Sequence, residues 1–458
     1  MATATIPIMD LVPQKDRAVS RRVAIETMGC KVNFFESELI GEALRGEQWQ
    51  VMGHQELADV VVINTCTVTA EADRQARQLV RRAVRRNPGA RVVVTGCYAQ
   101  VDPQACARIP GVDLVLGNDR KLELHRLLPL LESGQLAQVM VGDLHEQVTL
   151  PEQLVTGLEG HTRAFLQIQQ GCDQSCTYCI IHRARGPQRS LAPSLIRRQM
   201  DRLLLNGYRE IVLCGVDVGA YGTDLNVGRD NSFSLVALLH QLLSTEGDFR
   251  IRISSMDPTH IDVELMALMA NDHRLCPHLH LSLQSGNTLI LKRMKRRYSA
   301  ETVYRRIEAL REAVPELVLG ADFMVGFPTE TEAAFEDTLE MAQALKICYP
   351  HIFSYSNRPG TPAARVSKQV PKLERKRRAA CLRQATGLVL KTHLQRRIGQ
   401  RRRILVEGGG HPPPGYRRGR AADYTSVYVP RQVVTPGEWL WVDYESRHQD
   451  GLIARPRA

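Results

Sequence analysis

Residues 168–186 read IQQGCDQSCTYCIIHRARG. Cys172, Cys176 and Cys179 stand there in a C-x-x-x-C-x-x-C spacing, directly after the apolar run Ala164–Ile168. A short apolar run bounded by Gly reads as a buried strand. The spacing lets one compact loop bring three thiolates to a point. Three ligands leave a position open, whereas a structural zinc site closes four. An iron–sulfur cluster with one free iron can bind and reduce a small molecule.

Downstream, apolar runs and helical patterns alternate. Further strands are predicted at Ile211–Leu213, Arg250–Ser254, His278–Gln284, Leu319–Val325 and His351–Tyr355. Six β/α units predict a partial (β/α)6 barrel, with its chemistry at the C-terminal strand ends. Side-chain phase agrees. His278, His280, Ser282 and Gln284 share one face of their strand, and Leu279, Leu281 and Leu283 the other. Leucines then face outer helices and polar groups a lumen, which makes Ser254, Ser282, Gln284 and Asp322 lumen candidates. Tyr178 is a candidate cofactor contact, with packing in the core as its alternative.

Upstream, Val23–Glu26, Val60–Ile63, Val92–Val94 and Leu114–Leu116 read as strands. Helical stretches near Ser37–Arg45, Ala72–Arg86 and Arg120–Leu131 interleave with them, which predicts a parallel α/β domain. Cys30, Cys66 and Cys97 are far apart in sequence, yet each follows one of the first three predicted strands. Parallel strands bring those ends to one sheet edge, where α/β proteins bind ligands. Three loops there can hold a second cluster; three unrelated buried cysteines are the alternative. Cys106, Cys214, Cys276, Cys348 and Cys381 carry no motif and read as small buried apolar residues.

The 458-residue chain has ordinary apolar and charged content and no apolar run long enough for a membrane span. With no secretory pattern at its start, its 11 cysteines read as cytosolic and metal-binding, not as a disulfide scaffold. The net charge of +11 is concentrated: Arg365–Arg420 holds 17 Lys and Arg against Glu374 and Glu407. Such a segment reads as a polyanion grip, or else as a solubilising surface. Arg74, Arg77, Arg81 and Arg85 form a second basic stripe on one helix face, opposite Ala76, Leu79, Val80, Ala83 and Val84. After about 390, Ile404–Val406, Tyr424–Val429, Trp439–Asp443 and Leu452–Ala454 predict a small β-barrel, with 408–414 as a loop. One or both of Trp439 and Trp441 are expected in its core, with base stacking as the alternative.

These motifs resemble those of the radical S-adenosylmethionine methylthiotransferases. TMGCKVNFFESE (27–38), NTCTVTAEAD (64–73) and VVVTGCYAQ (92–100) are similar to the family's front domain. The 168–186 stretch, LHLSLQSGN (279–287), VGFPTETE (325–332) and FSYSNRPGTPAA (353–364) are similar to its radical domain. The C-terminal strands are similar to its RNA-binding TRAM domain. GCKVN at 29–33 and GCYAQ at 96–100 resemble the branch acting on N6-threonylcarbamoyladenosine next to the tRNA anticodon. The isopentenyladenosine branch usually has Gln and Met after the first cysteine, and the ribosomal-protein branch Pro–Lys. Gln170, His182, Thr329 and Asp217 depart from the usual acid, Pro, Gly and His.

The resemblance implies an arm at 1–21, a front domain at 22–135, a linker at 136–157, a radical domain at 158–389 and a TRAM domain at 390–458. It implies two 4Fe-4S clusters, one on Cys172, Cys176 and Cys179 that cleaves S-adenosylmethionine, the other on Cys30, Cys66 and Cys97 that carries sulfur to carbon 2 of adenine. Its partners are tRNA, an electron donor and a sulfur source, in the cytoplasm and away from membrane. Two other readings stand beside it: the same reaction on isopentenyladenosine, and a metal-stabilised RNA-binding protein without catalysis.

Overall fold

The computed structural model describes residues 21–53, 56–146, 154–226 and 233–457; the expected arm lies almost wholly outside them. The front sheet has six parallel strands in the order Gln50–Met52, Arg22–Thr27, Val60–Thr65, Arg91–Gly96, Leu114–Leu116, Val139–Met140. VVVINT at 60–65 is buried throughout, as a strand covered on both faces must be. Two strands were not legible. Gln50–Met52 is a three-residue edge, and Val139–Met140 lies inside the stretch read as a linker. The edge strand shifts the count but not the consequence. The strands that precede Cys30, Cys66 and Cys97 are still neighbours. The order reverses between Arg22–Thr27 and Val60–Thr65, the switch point where open α/β sheets form a crevice.

The helix Lys31–Gly46 belongs to two cores. Val32, Phe35 and Leu39, at helical spacing, pack with the central domain. Ile40 and Leu44 pack with Val23, Val62 and Val93 of the front sheet. Front and central domains therefore share one packed body.

The central strands are Ala164–Gln167, Glu210–Cys214, Arg250–Ile253 continued by Ser255–Met256, His278–Gln284, Val318–Val325 and Ile347–Ser354, all paired in parallel. They form the expected open β/α barrel, with one break. Arg250–Ile253 pairs with Glu210–Cys214, and Ser255–Met256 pairs with His278–Gln284. The antiparallel pair Gln169–Gln170 and Arg189–Ser190 closes the base of the three-cysteine loop.

The helix Lys372–Arg397 runs through the boundary expected at 389/390. Its Ala379 and Leu382 pack in the central core, and its Leu394 in the core of the last domain. That domain is a closed barrel of Arg401–Val406, Tyr416–Ala421, Ser426–Pro430, Gly451–Pro456 and Trp439–His448. Tyr416–Ala421 escaped sequence reading because YRRGRA has no apolar alternation; Arg418 and Arg420 are drawn in by the buried Glu407. The expectation of a tryptophan core fails. Trp441 is 53% exposed. Trp439 lies between the guanidiniums of Arg250 and Arg403, 4.8 and 4.5 Å from its ring.

The barrel lumen is closed at its lower end. Glu210, fully buried, pairs with Arg250 at 2.5 Å, Arg252 at 2.7 Å and Arg163 at 3.5 Å. Arg250 donates to the Arg420 carbonyl, and Arg252 to those of Ala421 and Ala422. Tyr424 enters from the same turn and stacks on His278, with ring centroids 4.6 Å apart. Arg250 and Arg252 thus face the lumen, as their phase predicts, but they hold the C-terminal domain in place. Glu210→Gln leaves Arg250 and Arg252 without their counter-ion, while Arg163 keeps Glu407 at 2.7 Å, and is expected to cost about 3–5 kcal/mol. The check is a lower thermal midpoint, with earlier proteolytic release of residues 401–457 than in the wild type.

Candidate active site between two cysteine triads

Two glycines let the front-domain cysteines converge. Gly29 has φ 105°, and a Cβ there would lie 2.8 Å from the Cys66 Cβ. Gly96 has φ 91°, and a Cβ there would lie 2.5 Å from the Thr65 carbonyl oxygen. Only glycine takes these angles and this closeness. Cys30, Cys66 and Cys97 then line one wall of a cavity of about 330 Å³. Tyr178 and Cys179 from the other cysteine loop line the same cavity.

Each sulfur of the second triad receives one hydrogen bond. The Gln174 N–H donates to Cys172 Sγ, the Ile181 N–H to Cys179 Sγ, and Arg296 Nη1 to Cys176 Sγ, each at 3.4 Å. Arg296 is fixed by Asp257 at 2.6 Å and by the Ser282 carbonyl at 3.0 Å. Burial pushes the Cys172 thiol up to about 12 and Cys179 to about 11. Burial also raises Cys66, to about 12, and Cys97. Such thiols keep their protons at neutral pH until a metal displaces them, so loading is proton-coupled.

The donor set fits clusters better than single ions. Three thiolates around one zinc lie about 3.8 Å apart, from a Zn–S bond of about 2.3 Å. Among the described residues, only His280, Asp322 and His351 bring their ligand atoms all within 4.8 Å of one another. Both triads are wider than that, while sharing electrostatic contact within each set. Three soft donors at wider separation, with at least one of each set lining a shared cavity, suit a 4Fe-4S cluster.

The other expected site residues divide. Tyr178, Ser282, Gln284 and Asp322 line the cavity. Gln284 does so with φ 64°, just past a register shift in its strand. Ser254 is not among the lining groups. The strand break places Ser255 there, and the Ser254 N–H bonds the Leu213 carbonyl. Asp322 accepts from His280 Nε2 at 2.9 Å and His351 Nδ1 at 3.1 Å, and these partners hold its carboxyl well below the usual range. Of the remaining cysteines, Cys106, Cys214, Cys276 and Cys348 are buried and Cys381 is half-buried.

Sequence reading missed the groups that join the two halves. Arg185, six residues past Cys179 and 1% exposed, crosses to the front domain. It binds both oxygens of Glu36, at 2.9 and 3.0 Å, and also Asn33 Oδ1. Lys121 meets Glu36 from the other side at 2.5 Å, and Asn118 donates to the Ala184 carbonyl. Gln170 sits beside this pair, so its departure from an acid spares a second buried carboxylate next to Glu36. Arg358 makes a second bridge, to Asp73 and Thr67. Thr329 does adopt the glycine-like φ of 72°, with its hydroxyl held by Arg293. Asp217 is engaged by His260 and the Asp257 N–H.

Comparison with known proteins agrees with this geometry. Residues 22–117 match the model described as uncharacterized protein family UPF0004, and residues 166–342 that of the radical SAM superfamily. The threonylcarbamoyladenosine tRNA methylthiotransferase of Rickettsia prowazekii is 40% identical, over 84% of this chain and 88% of its own. The protein of that name from Thermotoga maritima is 35% identical, over 95% and 96%. A tRNA-2-methylthio-N(6)-dimethylallyladenosine synthase of Jannaschia sp. is 31% identical, over 98% and 96%. Among solved structures, the radical S-adenosylmethionine methyltransferase TsrM of Kitasatospora setae shares the fold, with a TM-score of 0.55 and 16% identity over 75% of each chain. The two matched models define a front α/β domain joined to a radical SAM barrel. The chain belongs to the radical S-adenosylmethionine methylthiotransferase family.

The Glu36 carboxyl is held near 2, against an ordinary value of 4.5, by Arg185 and Lys121 acting against its burial. A depressed carboxyl contributes stability above its unfolded value and loses it as pH falls toward the folded one. Glu36→Gln is therefore expected to cost about 3–5 kcal/mol at neutral pH. The gap to wild type should close as pH falls from about 4.5 to about 2. Thermal midpoints of the two metal-free proteins across that range provide the check.

Proposed function

We propose that this chain inserts a methylthio group at carbon 2 of N6-threonylcarbamoyladenosine, beside the anticodon of tRNA in the cytoplasm. The observation that carries the reading is the cavity lined by Cys30, Cys66 and Cys97 of one triad and by Cys179 of the other. Relatives 35–40% identical to the chain are named for this nucleoside. Cys172, Cys176 and Cys179 hold one 4Fe-4S cluster, and Cys30, Cys66 and Cys97 the other. When bound, these clusters and S-adenosylmethionine supply reductive sulfonium cleavage and a sulfur carrier, chemistry that no side chain offers. The reaction also draws on an electron donor and a separate sulfur source.

The chain's own part is positioning and exclusion of water. The Gln174 and Ile181 amides and Arg296 orient the radical triad. Tyr178, packed edge-on against Phe327, forms an apolar side of the cavity, while Ser282 and Asp322 offer polar contacts. The Tyr424 plug occupies the lower end of the lumen, which leaves the cysteine end for substrate to enter.

The basic segment is partly spent within the protein. Eight of its 17 cations are ion-paired: Arg377, Arg378, Arg397, Arg401, Arg402, Arg403, Arg418 and Arg420. Lys376, Arg383 and Lys391 remain exposed along one face of the helix Lys372–Arg397 and are offered here to tRNA phosphates.

Changing any one of Cys172, Cys176 and Cys179 to Ala should abolish 5′-deoxyadenosine formation and leave the front cluster's iron bound. The Cys30→Ala, Cys66→Ala, Cys97→Ala variant should still cleave S-adenosylmethionine yet add no sulfur to tRNA. Nucleoside mass spectrometry of tRNA from cells with and without the protein tests the substrate; loss of 2-methylthio-dimethylallyladenosine instead would transfer the reading to that nucleoside. Replacing Lys376, Arg383 and Lys391 together by Ala should flatten the log–log salt dependence of tRNA affinity by about 2.7, at about 0.9 per phosphate contact. An unchanged slope would show that this face is only solvated.

A further inference from the structure

Lys31 follows Cys30 directly and opens the helix Lys31–Gly46. Its neighbours Cys30, Val32 and Asn33 line the reaction cavity. Lys31 is half-buried, and among the described residues its ammonium has no ion pair or hydrogen bond. Its charge nevertheless acts on Cys214, His278, His280 and Tyr424. Cys214 shares a strand face with the lumen-facing Glu210, and His278 and His280 lie on the lumen face of another strand. Tyr424 comes up from the plug beneath. Lys31 is not itself among the groups lining the cavity; these four lie around the lumen beneath it, within reach of the Lys31 charge.

The other cations around that lumen are satisfied. Arg163, Arg250 and Arg252 are held by Glu210, Arg185 by Glu36 and Arg296 by Asp257. The carboxylate on the facing strands, Asp322, is engaged by His280 and His351. A half-buried ammonium without a counter-ion is costly to keep. A site that keeps one is complementary to an anion brought in from outside.

The proposed substrate carries such an anion. The threonylcarbamoyl group on N6 ends in a free carboxylate, whereas a dimethylallyl group carries no charge. N6 and carbon 2 flank N1 on the same edge of adenine. An adenine whose carbon 2 faces the triads therefore turns its N6 substituent toward groups close beside them. Lys31, adjacent to Cys30, is such a group. Resting on the nucleoside reading above, we propose that Lys31 is the specificity residue that binds the substrate's threonyl carboxylate.

The test uses two anticodon stem–loop RNAs and the cluster-loaded enzyme. One RNA carries N6-threonylcarbamoyladenosine. The other carries N6-propylcarbamoyladenosine, with the same urea but no carboxylate. The wild type should prefer the first by about 10- to 100-fold in kcat/KM, the effect of one hydrogen bond between charged groups. Lys31→Gln should lose that factor on the first RNA only, mainly through KM, and equilibrium binding of the two RNAs should converge. Lys31→Arg should keep most of the preference. Equal losses on both RNAs would mean a structural role and overturn the proposal, as would a preference that survives in Lys31→Gln. If Lys31→Gln does not fold, the wild type alone decides: equal rates on both RNAs overturn the role of Lys31. A wild type that modifies neither RNA overturns the nucleoside reading and this inference with it.

Discussion

One buried ion pair sets the geometry of the site. Arg185 leaves the radical loop just past Cys179 and grips Glu36 on the helix that starts beside Cys30. Two cysteine triads on separate domains can serve one cavity only if their separation is fixed. A flexible contact would let that distance wander. A bidentate guanidinium–carboxylate pair has a set length and orientation, and burial makes it costly to open. Lys121 leaves the cluster net positive beside the thiols of Cys30 and Cys97. That balance suits thiolates carrying a metal better than it suits free thiols.

The same logic closes the other end of the barrel. Glu210 and its arginines would leave a polar hole in the lower lumen. The C-terminal domain fills it with carbonyl acceptors and the Tyr424 ring. The C-terminal barrel is thereby locked to the central barrel through its floor. Part of the positive charge that looks like an RNA surface in sequence ties this joint, with Arg402 and Arg403 reaching Glu316 and Asp248 on the central domain.

The fold was largely legible because each domain repeats one pattern: apolar runs of strand length, separated by helix-period stretches. The triads were legible for different reasons, Cys172–Cys179 from spacing and Cys30, Cys66 and Cys97 from topology. What escaped has common physical causes. Gln50–Met52 and Val139–Met140 are too short to show a period. Tyr416–Ala421 is stabilised by ion pairs and carries no apolar alternation. Ser254 was assigned to the cavity by extrapolating strand phase through a break that sequence does not mark. Arg185, Glu36 and Lys121 are charged, so hydrophobic patterning reads them as surface, yet they are among the most deeply buried groups in the molecule.

The seal beneath the barrel also imposes an order on synthesis. Arg250 and the Arg420 carbonyl it bonds are 170 residues apart. At about 5–20 residues per second, roughly 10–30 s pass between their emergence from the ribosome. For that interval the nascent barrel has Glu210 and its arginines in place but no floor. A turn made late closes a barrel made well before it, so a ribosome that stalls before residue 420 releases a barrel that is open at both ends.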